Sequence, residues 1–147
     1  SIMNWEKLKS QHYHKEPVEY IYTRSIFDLK EYDKLYENQN NLMHAVWKDF
    51  DEKYRVGFEF LDDIRDINKD KDIMCLWFFK ERNDRSAGTD IKIAGHTITY
   101  YPNTFLITES KDIKILEKNE YIRRPVLQLD LSTSTWNTML ERFNKIV

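Results

Sequence analysis

The 147-residue sequence holds one cysteine, three glycines and three prolines, and each shortage closes off a class of protein. With Cys75 alone, an internal disulfide is impossible and a disulfide scaffold is excluded. Its neighbours Met74 and Leu76 place it in the most apolar segment of the chain, where a buried, inert thiol in a reducing compartment is expected. Glycine and proline are too sparse to form a flexible linker, and there is no internal repeat or low-complexity tract. Charge of one sign is lacking as well. The 23 Lys and Arg and 25 Asp and Glu are interspersed and leave a net charge of −2. No field of one sign would draw in nucleic acid or an anionic membrane, so neither is expected as a partner. No apolar run approaches the length of a membrane span, and the first residues lack a basic-then-apolar signal pattern. A cytoplasmic location follows as the expectation.

What is present is aromatic and charged. Aromatics reach 14% and charged residues 33%, enough for one domain over 1–147 with a ring-rich core. Lys, Asn, Ile and Tyr are plentiful, which suits an AT-rich genome such as many phages or small bacteria carry. A phage or viral source is therefore expected, with the protein in the host cytoplasm or the virion.

The second half carries most of the information. Six short strand-like segments follow one another at close spacing: Ile73–Lys80, Asp90–Ile93, Thr97–Tyr101, Thr104–Thr108, Ile113–Leu116 and Val126–Leu131. With no helical periodicity between them, they read as an antiparallel sandwich or barrel. Before them, Val18, Tyr20 and Tyr22 alternate with Glu19, Ile21 and Thr23 in an early strand, Val18–Phe27. Ser25, with Asp28 three residues on, predicts the start of a helix whose stripe is Leu29, Tyr32, Leu35 and Tyr36. A second helix is predicted from the stripe Leu42, Val46, Trp47, Phe50 and Tyr54. Phe58–Leu61 reads as a further strand, and the charged run 62–72 as a solvated loop. Ser132 to Thr135 offer N-caps to a C-terminal helix with Trp136, Met139, Leu140, Phe143 and Ile146 on one face. The parts are thus an N-terminal strand and helices over 1–56, a β core over 57–131 and a C-terminal helix over 132–147.

Several residue groups have rival readings. Asp62, Asp63, Asp66, Asp70 and Asp72 are numerous enough for a hard cation, but Lys69 and Lys71 intrude and the glycine and closing glutamate of a calcium loop are missing. His12 and His14 lack a third ligand. Asp84, Glu109 and Glu117 could serve as acid and base, but nothing in the sequence brings two of them together. The rings Trp77, Phe78, Phe79, Tyr100, Tyr101 and Phe105 could stack on bases, although a two-sheet core accounts for about half of them by alternation. Adjacent Trp77-Phe78-Phe79 must put at least one ring on the outer face of a sheet, to be covered by an N-terminal helix or by a partner.

The order of the segments resembles the prolyl-hydroxylase-like family of iron- and 2-oxoglutarate-dependent oxygenases. The resemblance is carried by the early strand and helix, by Asp72-Ile-Met-Cys-Leu-Trp-Phe-Phe79, Gly88-Thr-Asp-Ile-Lys-Ile93, Tyr101-Pro-Asn-Thr-Phe-Leu-Ile107 and Arg123-Arg124-Pro-Val-Leu-Gln-Leu129. It implies a mainly β (α+β) fold, a double-stranded β-helix or jelly roll, with two N-terminal helices and one C-terminal helix. It also implies a facial triad, His-x-Asp early and a distal His late, holding iron, with a basic residue about ten positions further on for the far carboxylate of 2-oxoglutarate. Against that pattern, Ile64-Arg65-Asp66 keeps an Asp with Ile where His belongs. Ile113 falls ten before Arg123, and the chain's histidines are His12, His14, His44 and His96. Asp66 is thus a vestigial metal position, no metal or cofactor is expected, and Arg123 and Arg124 are candidates for a small carboxylate of the 2-oxoglutarate kind. The expectation is a non-catalytic binding or structural protein, engaging a protein partner. The alternative is an active dioxygenase, with Fe(II) and 2-oxoglutarate held by unconventional ligands such as Asp66 with His96 or His44.

Overall fold

The computed structural model describes residues 13–14, 18–38, 58–70, 73–84, 88–117 and 121–130. The predicted second helix, the predicted C-terminal helix, His12 and His44 lie outside the described residues, as do Asp72 and Leu131. In order, the elements are β1 (Tyr13–His14), β2 (Tyr20–Arg24), the helix α1 (Leu29–Glu37), β3 (Phe58–Leu61), β4 (Ile73–Phe78), β5 (Asp90–Ile93), β6 (His96–Ile98), β7 (Thr104–Glu109), β8 (Ile113–Leu116) and β9 (Val126–Asp130). Two single-turn 3₁₀ segments, Ile64–Asp66 and Ser110–Asp112, lie between strands.

All pairings are antiparallel. The larger sheet has the order β1-β2-β7-β4-β9-β3, and the smaller one β6-β5-β8. The result is a two-sheet sandwich of the jelly-roll kind. Its interior is a cluster drawn from both sheets: Met74, Leu76 and Phe78 of β4, Leu106 of β7 and Val126 of β9 meet Ile91, Ile93, Ile98 and Ile113. At about 25 cal/mol per Å² of apolar surface removed from water, this cluster supplies much of the drive to fold.

The central strand β4 is buried at all six positions, so its sequence runs apolar without alternation. Its other face, with Phe79 beyond it, is closed by α1 and the segment before it. Phe27 lies 4.9 Å from Trp77, and Tyr32 sits edge-on to Trp77 and Phe79 at 6.0 and 5.7 Å. The Trp77-Phe78-Phe79 run is therefore divided. Trp77 and Phe79 lie under the helix, and Phe78 stacks on Tyr100 inside the sandwich at 4.7 Å.

Several boundaries differ from the sequence reading: β2 covers only Tyr20–Arg24 of the expected Val18–Phe27, and β7 runs to Glu109 rather than Thr108. The helix starts at Leu29 rather than at Ser25, with Asp28 at the N-cap making no side-chain cap bond. The reason is Asn103, whose carbonyl accepts from Ile26 N at 3.1 Å and whose side chain binds both the N–H and the C=O of Phe27. These bonds hold 26–27 against the sheet, and Ser25, at φ 57°, makes the bend that leads there. Within α1, Tyr32 is buried but Leu29 is 49% exposed. The strand expected over Ile73–Lys80 ends at Phe78, where the chain turns so that Lys80 can pair with Asp84 at 3.0 Å. Thr97–Tyr101 is replaced by His96–Ile98, closed by a two-residue turn with Ala94 and Gly95 both at positive φ. The charged run after Leu61 is not wholly solvated either. Ile64 and Ile67 enter the sandwich core, and Asp63 is fully buried.

Candidate functional site

Arg123 and Arg124 stand just before β9, and their side chains go to opposite faces of the larger sheet. Val126 belongs to the sandwich interior. Two residues earlier, Arg124 points the same way, because a strand repeats every second residue. Its Nη1 lies 2.5 Å from Asp90 Oδ1 and donates to the Thr89 carbonyl at 3.1 Å. The guanidinium also lies 5.4 Å from the Tyr100 ring centroid. Passage for this side chain is provided by Gly88. A Cβ there would meet Arg124 Cδ and the Ile122 carbonyl at 3.1 Å. Arg124 also accepts a backbone bond from Ile64 N at 2.9 Å. It therefore ties β9 to the start of β5 and to the 3₁₀ turn.

Tyr100 and Asp63 complete this buried polar group. The Tyr100 hydroxyl donates to the Pro125 carbonyl, and burial above all pushes its pKa well up, with Tyr32 adding and Arg124 opposing. Asp63 accepts from Arg65 N at 3.2 Å and faces Arg65 Nε at 3.8 Å. Sequence reasoning did not connect Asp63, Asp90 and Tyr100. The alternation of the strand expected over Thr97–Tyr101, which puts Tyr100 on the side of Ile98, was the one available signal.

The positions that the resemblance assigns to iron do not come together as a donor set. Asp66 is exposed at the end of its 3₁₀ turn, its N–H bonded to Asp63 O at 3.0 Å. Ile113 is an aliphatic member of the core, and its carbonyl accepts from Lys69 Nζ at 2.7 Å. His96 is exposed on the β5–β6 hairpin. Among the described residues, no three of His, Cys, Asp and Glu gather where one ion could reach them. Among the described residues, the positions that the resemblance points to do not assemble a facial triad. Nor do Asp62, Asp63, Asp66 and Asp70 form a cation loop. Asp63 turns inward to Arg65, and Asp70 N donates to Asn68 Oδ1 at 2.9 Å. Asp84 and Glu109 each lie beside a lysine, Lys80 and Lys111, and not beside each other.

Arg123 faces the other way. With Tyr36, Phe60, Asp62, Phe79, Lys80, Tyr121, Ile122 and Pro125 it borders a cleft of about 520 Å³ on the α1 side of the larger sheet. Phe79 forms its floor, 5.4 Å from Tyr36 and edge-on to Phe60 at 5.7 Å. The two arginine side chains thus lie on opposite faces of the larger sheet.

Compared with known proteins, the chain matches no family model and no curated sequence. Among solved structures it is similar to a chain from a crystal structure of prolyl 4-hydroxylases from Phytophthora capsici. Identity is 12%, over 97% of this chain and 70% of that one, with a TM-score of 0.40. A likeness of that size assigns no activity. Among the described residues, no helix is long and apolar enough to cross a membrane.

Proposed function

We propose that this jelly-roll chain is a non-catalytic, oxygenase-like binding or structural protein whose partner is another protein. The observation that carries this reading is the engagement of Arg124. Its side chain enters the sandwich two residues before β9 and is held there by Asp90 and the Thr89 carbonyl. A carboxylate ligand entering there would have to displace Asp90 from a pair whose side chains retain only 11% and 13% exposure. Buried pairs of this kind are costly to break. The aliphatic Ile113 and the exposed Asp66 support the same reading, because neither the number nor the direction of donors suits ferrous iron.

The test is calorimetric titration of the full chain with Mn(II), as a redox-silent stand-in for Fe(II), alone and with 2-oxoglutarate. A decarboxylation assay with Fe(II) accompanies it. The expected result is no saturable metal binding and no 2-oxoglutarate turnover, with a discrete protein recovered in affinity capture. Stoichiometric metal binding together with decarboxylation would establish the dioxygenase alternative instead. Binding of 2-oxoglutarate without metal that survives Arg123→Ala and is lost in Arg124→Ala would point to a retained carboxylate pocket between the sheets.

A further inference from the structure

The cleft bordered by Arg123 is open to solvent, with aromatic walls and two cations at its rim. Its volume, about 520 Å³, lies within the roughly 300–1,000 Å³ usual for small-molecule sites, which pair apolar walls with a few polar groups. The walls are rings: Phe60 is 37% exposed and Tyr121 87%, beside the buried Phe79 and the half-buried Tyr36. Flat apolar groups cover such surfaces well. Of the two cations at the rim, Lys80 is occupied by Asp84 at 3.0 Å. Arg123 is exposed and has no ion-pair partner among the described residues. A guanidinium is the side chain best shaped to take a carboxylate through two parallel hydrogen bonds.

We propose that this cleft binds a small aromatic carboxylate, with its ring against Phe60 and Tyr121 and its carboxylate on Arg123. Asp62 is the one acidic residue among the lining residues. It lines the same cleft without an ion pair to Arg123, so as an exposed charge it competes only weakly with a ligand carboxylate. The site lies across the sheet from Arg124 and Asp90, so it needs neither metal nor 2-oxoglutarate. It goes beyond the non-catalytic reading and does not depend on it.

The experiment is an NMR titration of the ¹⁵N-labelled full chain with 3-phenylpropionate, its neutral amide 3-phenylpropionamide, and propionate. Saturable shifts are expected at Phe60, Phe79, Ile122 and Arg123 with the aromatic acid. Affinity should fall about tenfold with the amide or in Arg123→Gln, since a hydrogen-bonded charge is lost. Asp62→Asn removes the competitor and should tighten binding by about two- to threefold. Propionate, lacking the ring, should not saturate. Equal affinities for acid and amide, shifts centred on Thr89 and Tyr100, or no saturation with 3-phenylpropionate would each overturn the proposal. None of these outcomes bears on metal binding, so the non-catalytic reading would survive them.

Discussion

If Arg124 is a strut and not a ligand receptor, removing it must cost stability in proportion to what it holds. Truncating one partner of a fully buried ion pair costs about 3–5 kcal/mol, because the other charge is left without compensation. Here the Arg124 and Asp90 side chains keep 11% and 13% of their surface, so solvent relieves part of that penalty. Arg124→Gln and Asp90→Asn should each cost about 2–4 kcal/mol. In the Arg124→Gln chain the Thr89 carbonyl also loses a donor now at 3.1 Å. The double variant pairs two neutral amides, which can bond to one another. Its cost should fall short of the sum of the single costs by about 1–3 kcal/mol, the coupling expected of contacting residues. Urea unfolding followed by tryptophan fluorescence measures all three, with Trp77 reporting from within the described core. The reasoning fails if the two single costs simply add. It fails more severely if Arg124→Gln stabilises the fold, because a residue kept at the expense of stability is the mark of a ligand site.

Three further outcomes follow from the same geometry. Gly88→Ala places a Cβ 3.1 Å from both Arg124 Cδ and Ile122 O; it should cost about 1–3 kcal/mol, less in an Arg124→Ala background, and equal costs in both backgrounds would contradict the close approach. Asn103 sits at φ 66° and binds Phe27 N and O at 3.0 and 2.8 Å. Asn103→Ala should therefore cost about 3–5 kcal/mol in the same urea assay, and Asn103→Gly about 1 kcal/mol less because glycine tolerates the left-handed backbone. Burial pushes Tyr22 up to about 12 and raises Tyr32 and Tyr100 as well. Folding then favours the protonated phenols, so their contribution is complete below about pH 10 and is lost as pH rises through the raised values, about 12 for Tyr22. Tyrosinate absorbance should show these rings ionising together with alkaline unfolding, and independent ionisation near pH 10 in the folded chain would refute the assignment.

The strands were legible because their signals are local. Ile73–Phe78 is too apolar to be anything but covered on both faces, and Tyr20–Arg24 alternates as a strand packed differently on each side. Asp90–Ile93 was legible as it stands, but its partner was expected over Thr97–Tyr101 and is His96–Ile98, because the two-residue turn at Ala94-Gly95, both at positive φ, brings the chain back sooner. The start of the helix was not legible. Ser25 and Asp28 have the spacing of a capping pair, but the bonds that hold 26–27 out of the helix come from Asn103, 76 residues from Phe27. The interior fate of Asp63 was hidden for a similar reason: five aspartates in a short run look solvated, and Ile64 and Ile67 fix the inward side only once they meet the small sheet.

The candidate site turns on a parity that local reading cannot supply. A strand sends neighbours to opposite faces, so at most one of Arg123 and Arg124 can reach the interior. The following residues, Val126, Leu127, Gln128 and Leu129, are all buried, so the strand carries no polar–apolar alternation to mark its inner face. The choice is made by long-range contacts. Gln128 turns to Asn68, donating to its carbonyl at 2.7 Å and accepting from its N–H at 2.9 Å. Val126 packs between the sheets. Arg124 follows their parity inward, toward an aspartate 34 residues away that the sequence presents only as the first residue of a short strand. Counting ten from Ile113 picks out Arg123, the arginine on the outer face. The adjacent position faces the interior, and there its charge is already met. Two arginines that look interchangeable in the sequence are thus given separate tasks by one step along a strand: Arg124 closes the sandwich, and Arg123 is left at the rim of an aromatic cleft on its far side.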